Sequence, residues 1–276
     1  MTVSAQRPAP LAELPPSLCR ALDYLFTDID DTITTDGRIP AASFSALWDL
    51  NAAGIRVVPV TGRPAGWCDM IARMWPVKGV VGENGAFYYA YDRSTRIMRR
   101  KSIATGSAAA ADHDALSAAA ALVLREVPGT ALAADQAFRV SDMAIDYCED
   151  VPPLPPERVR DICRILGEQG MRYKVSSIHV NFWRGDFDKM AGVGLFLECE
   201  EGLSLSAVAE KSLFLGDSPN DEPLFAGFPH TIAVGNLRRF LDQLDHLPEF
   251  ITEADSGEGF AEAVRTILLK RAFPPQ

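Results

Sequence analysis

The chain has 276 residues, 47% hydrophobic and 23% charged. That is enough for one large domain or two modest ones with a proper core, with no need of a disulfide or metal staple. Lys and Arg total 27 against 37 Asp and Glu, a formal net charge of −10. Such a surface repels nucleic acid and anionic lipid and excludes both as partners, so an anionic substrate has to be attracted locally, by a few cations or a bound metal. The five cysteines are odd in number, widely spaced and form no CxxC pair, which fits reduced thiols in the cytoplasm. Prolines near the N-terminus break up any apolar signal-peptide core.

Residues 1–20 read as a Pro-rich arm without periodicity. The apolar run 24–27 then enters the acidic cluster Asp28-Ile29-Asp30-Asp31-Thr32, which predicts a buried strand with its functional end on the C-terminal side. After Pro40, residues Phe44, Leu47, Trp48 and Leu50 recur at helical spacing until Gly54. A second buried strand is expected over 55–60, a helix over 65–74 and a third strand over 79–81, followed by Glu83-Asn84-Gly85. Apolar strands alternating with helices predict a parallel, helix-covered sheet. Near Phe87 the pattern changes. A hairpin turns about Asp92-Arg93-Ser94, an Ala-rich helix covers 108–126, a strand 143–147, a helix 156–169, and two short strands 172–176 and 178–182. On the last of these, Ile178, Val180 and Phe182 are expected to pack against helix residues 159–166. Ser177, His179 and Asn181 form the opposite, polar face. From Asp188 the alternating rhythm returns, with a strand over 212–215. The reading is an arm (1–20), a core domain (21–86 and 184–276) and an inserted α+β domain (87–183).

In a parallel sheet the working residues lie beyond the carboxyl ends of the strands. Four expected strand ends carry polar clusters: Asp28-x-Asp30-x-Thr32, Thr61-Gly62-Arg63, Glu83-Asn84-Gly85 and Gly216-Asp217-Ser218-Pro219-Asn220-Asp221. Carboxylates converging on one rim repel each other unless a hard cation sits between them, and oxygen donors without clustered His or Cys favour Mg²⁺ over zinc. A divalent ion beside Thr, Lys and turn amides suits a phosphoryl group. One aspartate can then attack phosphorus, while a second, two residues on, protonates the leaving oxygen.

The Asp28-Ile29-Asp30-Asp31-Thr32 run, Thr61-Gly62-Arg63, Lys189 opening a helix and Gly216-Asp217-x-x-Asn220-Asp221 strongly resemble the four motifs of the haloacid dehalogenase superfamily phosphatases. The insertion between the second and third motifs, preceded by Glu83-Asn84-Gly85-Ala86, resembles the α/β cap of subclass IIB. That branch contains sucrose-phosphate, trehalose-phosphate and mannosyl-3-phosphoglycerate phosphatases, the Cof-type hydrolases and phosphomannomutase. The resemblance implies a Rossmann-like α/β core with an inserted cap and a Mg²⁺-dependent phosphatase acting on a small phosphorylated metabolite, a sugar phosphate or related phosphomonoester. It implies Asp28 as nucleophile, forming an aspartyl-phosphate, and Asp30 as general acid and later base. Thr61 and Lys189 would hold the phosphoryl group, and Asp28, Asp30 (through its carbonyl), Asp217 and Asp221 the metal. Arg63, Asn84, Asn181 and Asn220 are the expected substrate contacts. The chief departure is Asp31, where many relatives carry Gly. A phosphomutase on the same scaffold is the alternative. A phospho-acceptor switch is disfavoured by the large insertion and by Asp30.

Overall fold

The computed structural model describes residues 7–103, 107–176 and 178–272. In chain order, β1 (Ala9–Pro10) and α1 (Pro16–Ala21) precede β2 (Tyr24–Thr27), α2 (Ala41–Ala52), β3 (Arg56–Pro59), α3 (Ala65–Met74) and β4 (Val80–Gly82). Next come β5 (Phe87–Asp92), β6 (Ile97–Ser102), α4 (Ser107–Glu126), β7 (Ala131–Leu132), β8 (Met143–Asp146), α5 (Pro156–Glu168), β9 (Arg172–Val175) and β10 (His179–Trp183). The chain closes with α6 (Lys189–Phe196), α7 (Leu205–Val208), β11 (Ser212–Gly216), α8 (Glu222–Gly227), β12 (Thr231–Ala233), β13 (Phe250–Ile251) and α9 (Ser256–Ala272).

The core sheet runs β1-β13-β12-β11-β2-β3, all pairs parallel. Its central strands are apolar on both faces because both faces are covered. Leu25, Val57, Leu213 and Leu215 join the cluster with α2 and α9, while Tyr24, Phe26, Val58 and Phe214 join the one with α6 and α8. Each such side chain contributes about 1.5–3 kcal/mol on burial. Trp48, which helical spacing placed with Leu47 and Leu50, is 52% exposed and faces solvent.

Two expectations are corrected. Residues 9–22 are no unpatterned arm. Ala9 and Pro10 pair with Phe250 and Ile251, and Leu11, Leu14, Leu18 and Leu22 are buried in the core. Lys270 and Arg271 of α9 donate to the carbonyls of Leu14, Cys19 and Leu22. The hairpin β5–β6 belongs to the core and not to the insertion. Val60 bridges Val81 in parallel, β4 pairs antiparallel with β5, and Phe87 and Tyr88 enter opposite core clusters.

The inserted unit therefore begins after Ser102. Its antiparallel sheet, β7-β8-β10-β9, carries α4 and α5 on one face. Met143, Ile145, Val180 and Phe182 pack there against Ile162, Ile165 and Leu166. The other face turns toward the carboxyl ends of the core strands and closes a cleft of about 760 Å³. Ile178 precedes β10 and lines this cleft instead of joining the cap core. Ser177 lies outside the described residues.

Candidate active site

Strand β2 ends at Thr27, and the Asp28 amide still donates to the Leu215 carbonyl at 2.9 Å, so Asp28 sits directly beside β11. The chain then abandons extension. Thr32 and Ile33 donate to the Ile29 carbonyl, and Asp31 takes a left-handed φ of 55°. That conformation explains the residue at this position: Gly reaches it without strain, and Asp and Asn are the side chains that tolerate it best. This tight turn, not strand alternation, brings Asp28 and Asp30 to one cleft.

Carboxylate oxygens of Asp28, Asp217 and Asp221 lie within 4.8 Å of one another, and all three residues are buried. Lys189, the first residue of α6, places its Nζ 2.7 Å from Asp221 Oδ1 and 3.1 Å from Asp28 Oδ1. The N-terminus of α6 can come this close because residue 85 is Gly; a Cβ there would lie 1.9 Å from the Asp188 carbonyl oxygen. Asp221 Oδ2 accepts the amides of Asp217 (3.0 Å) and Ser218 (3.4 Å), so both its oxygens are engaged and it braces the loop. Asp217 accepts from Thr32 Oγ1 at 3.0 Å and from Asn236 Nδ2 at 3.2 Å.

Burial raises Asp28 to about 7; Asp221 and Asp30 push it the same way and Lys189 opposes them. Burial, with repulsion from Asp221 and Asp28, also lifts Asp217 well above the usual carboxylate range. Burial works against the charge of Lys189, but Asp221 and Asp28 outweigh it and hold the ammonium above its ordinary value. One buried cation thus leaves the cluster under-neutralised. Its donors are all oxygens, and they fit a hard divalent cation. The Asp30 carboxylate lies outside this cluster, in keeping with the expectation that Asp30 would meet a metal only through its backbone carbonyl.

Instead Asp30 is clasped by Arg63, whose Nε lies 3.0 Å from both carboxylate oxygens and whose Nη2 lies 2.7 Å from Oδ1. Arg63 also stacks 4.5 Å above the Trp67 ring. Thr61 is fully buried and its Oγ1 accepts the Arg63 amide at 3.0 Å. Asn84, at a left-handed φ of 56°, lines the cleft with its Nδ2 buried and without an acceptor among the described residues. Asn220 lines the cleft from the turn before α8. On the cap, Asn181 lines the cleft and its Nδ2 donates to Asp142 Oδ2 at 3.2 Å, so it is no freely solvated residue. The neighbouring His179 is buried and lies 2.9 Å from Glu149 Oε2, off the line of a hydrogen bond. Burial, reinforced by Arg139, holds its pKa below the usual imidazole value.

Sequence reasoning named Glu83 only as a member of a strand-end cluster, without its role, and missed Arg139 and Asn236. Glu83 is fully buried and accepts the amides of Ala65, Val140, Ser141 and Asp142, a core side chain clasping a cap loop. Beside it, Arg139 bridges Asp135, Asp142 and the Gly62 carbonyl. Asn236 holds Asp217 and the Asp31 carbonyl. It follows the end of β12, so the strand-end rule that found Asp217 would have found it too.

A sequence profile of the haloacid dehalogenase-like hydrolases matches residues 25–115. A phosphoglycolate phosphatase of Methanothermobacter thermautotrophicus is 27% identical over 246 residues, covering 87% of this chain and 96% of the relative. Among solved structures, Thermoplasma acidophilum 0175 aligns with a TM-score of 0.69 at 16% identity, covering 90% of this chain and 99% of its own. A subclass IIB sugar phosphatase of the same superfamily aligns at 0.60 and 15% identity, covering 88% and 98%. With a parallel α/β core, an antiparallel cap and Asp28, Asp30, Asp217 and Asn220 at one cleft, the chain is similar to the haloacid dehalogenase-like hydrolases over residues 25–115, shares the fold of the solved subclass IIB phosphatase, and is a phosphatase.

Proposed function

We propose that this phosphatase is a Mg²⁺-dependent phosphomonoesterase of the cytoplasm. It acts on a small phosphorylated metabolite, a sugar phosphate or a related phosphomonoester, through an aspartyl-phosphate. The observation that carries this reading is the buried Asp28–Asp217–Asp221 cluster with Lys189, at the edge of a cleft sized for a small molecule. Asp28 and Asp217 would hold the ion, with Asp221 bracing Lys189 and the 217–218 amides. When bound, Mg²⁺ supplies positive charge for the phosphoryl oxygens.

A carboxylate oxygen of Asp28 attacks phosphorus and the ester bond breaks, with Asp30 giving its proton to the departing oxygen. Asp30 then takes a proton from water as the water oxygen attacks the aspartyl-phosphate, releasing inorganic phosphate and restoring Asp28. We assign Lys189 and Thr61 to the phosphoryl oxygens. The buried, acceptor-less amide of Asn84 is a further donor toward the substrate. Arg63 orients Asp30, and Asn181 and Asn220 face the substrate from cap and core. The relatives' names supply the substrate classes: phosphoglycolate for the sequence relative and sugar phosphates for the structural neighbour. Phosphate release from an aryl phosphate and a metabolite panel tests the reading. EDTA should abolish turnover and Mg²⁺ restore it. Full activity in excess chelator overturns the metal assignment, and dependence on a bisphosphate activator without sustained release would mark a mutase.

A further inference from the structure

Four cations line the cleft: Arg63, Arg139, Lys174 and Arg239. Three are committed to carboxylates. Arg63 holds Asp30 at 2.7 Å, Arg139 holds Asp135 and Asp142 at 3.0 Å each, and Arg239 lies 3.6 Å from Asp255. Lys174 has no carboxylate within ion-pair distance among the described residues. It stands on β9 directly across from Asn181 in the antiparallel register, on the cap face turned to the cleft.

Its surroundings do not complete its charge. Burial lowers its pKa, repulsion by Lys189 adds to this, and Asp221, Glu222 and Asp188 only partly offset them. Lys174 and Asp28 line the same cleft, so Lys174 and the phosphoryl site face one bound molecule. A partly buried ammonium without a counter-ion is costly until a ligand anion arrives. Neutral hydroxyls are adequately met by amides such as Asn181, whereas an unpaired cation rewards a second negative charge and rejects its neutral isostere.

We propose that Lys174 is a specificity-determining residue that binds a carboxylate carried by the substrate a few bonds from its phosphate ester. The preferred substrate is then a phosphorylated hydroxy acid or sugar acid and not a neutral sugar phosphate. The inference rests on the phosphomonoesterase reading above.

The test is kcat/KM of the Mg²⁺-supplemented enzyme on two matched pairs: 2-phosphoglycolate against 2-hydroxyethyl phosphate, and 3-phosphoglycerate against glycerol 3-phosphate. The wild type should favour the acid by about tenfold or more in at least one pair. Lys174→Met should cut that preference by about 10- to 100-fold, the scale of one charge-assisted hydrogen bond, and Lys174→Arg should recover most of it. Each ratio is taken within one preparation, so the folded fraction cancels. No preference for the acid in either pair overturns the inference, as does an unchanged ratio in Lys174→Met. An equal loss on acid and alcohol would also overturn it, because Lys174 would then serve the phosphoryl group itself. Activity on alcohols or an aryl phosphate without a Lys174-dependent preference sinks this inference alone. No release from any compound would overturn the phosphatase reading and the inference with it.

Discussion

Asp28 and Asp30 are two residues apart, yet they occupy different electrostatic settings, and their variants should fail differently. Asp28 shares Lys189 with Asp221, whereas Asp30 is gripped by the Arg63 fork. Asp28→Asn should form no phospho-enzyme. Asp30→Asn should lose roughly 10²–10⁴-fold on alkyl phosphates, whose leaving oxygen needs a proton. With an aryl phosphate it should still be phosphorylated and then turn over slowly. Arg63→Ala should resemble a milder Asp30→Asn, because Arg63 acts by orienting that carboxylate: a marked loss on alkyl phosphates and a smaller one on aryl phosphates. Steady-state rates on both substrate types check this. An equal loss from Arg63→Ala on both would place Arg63 on the phosphoryl group. The identities of these residues were legible in the sequence because a strand-end cluster declares itself by composition. The Arg63–Asp30 pair was not, since its partners lie 33 residues apart on separate loops.

One turn, Glu83–Gly85 following β4, ties core to cap alongside the Arg139–Gly62 hydrogen bond. Gly85 admits α6 and thereby Lys189, while Glu83 holds the loop 140–142 through three cap amides and α3 through the Ala65 amide. Glu83→Ala leaves the buried amides of Ala65 and Asp142 and the half-buried amide of Ser141 unpaired, with that of exposed Val140 left to solvent, and about 2–4 kcal/mol of stability should be lost. Chemical denaturation measures that loss. Limited proteolysis should show earlier cleavage near residues 139–142 than in the wild type, and a protease pattern identical to wild type would sink the clasp. The Glu83-Asn84-Gly85 signature was visible in the sequence, but its meaning was not, because its acceptor–donor pairs span 57 to 59 residues. Regular elements fared better. The helix expected over 65–74 is α3 itself, since Pro64 before it and the apolar stripe within it are local signals. The hairpin β5–β6 was assigned to the wrong unit because strand pattern says nothing about which sheet a strand joins. Residues 11, 14, 18 and 22 did carry a helical apolar spacing, obscured by the prolines around them.

Across the described residues, four buried carboxyls hold protons more tightly than they would in an unfolded chain: Asp28 at about 7, Asp217 well above its usual range, Glu83 at about 8 and Asp142 above its ordinary value. Burial is the leading cause for each, with neighbouring carboxylates adding to it. The sign follows from linkage. Between the ordinary carboxylate range and about pH 8 the folded state binds protons that the unfolded state has released, so stability falls as pH rises through that window. The net charge of −10 acts in the same direction by general repulsion. Metal-free protein should therefore show a Tm that declines from pH 5.5 to pH 8. Mg²⁺ competes with the protons on Asp28 and Asp217, so the rise in Tm at a fixed Mg²⁺ concentration should be small at pH 5.5 and grow toward pH 8. Two controls separate the local cluster from the global charge. Added monovalent salt should weaken the general repulsion but leave most of the Mg²⁺ response. Asp217→Asn should remove most of the Mg²⁺ response while leaving the net charge nearly unchanged. Thermal unfolding across this pH range measures both. A Mg²⁺ shift independent of pH, or one that survives in Asp217→Asn, would mean that the ion binds somewhere other than the carboxylates at the ends of β2 and β11.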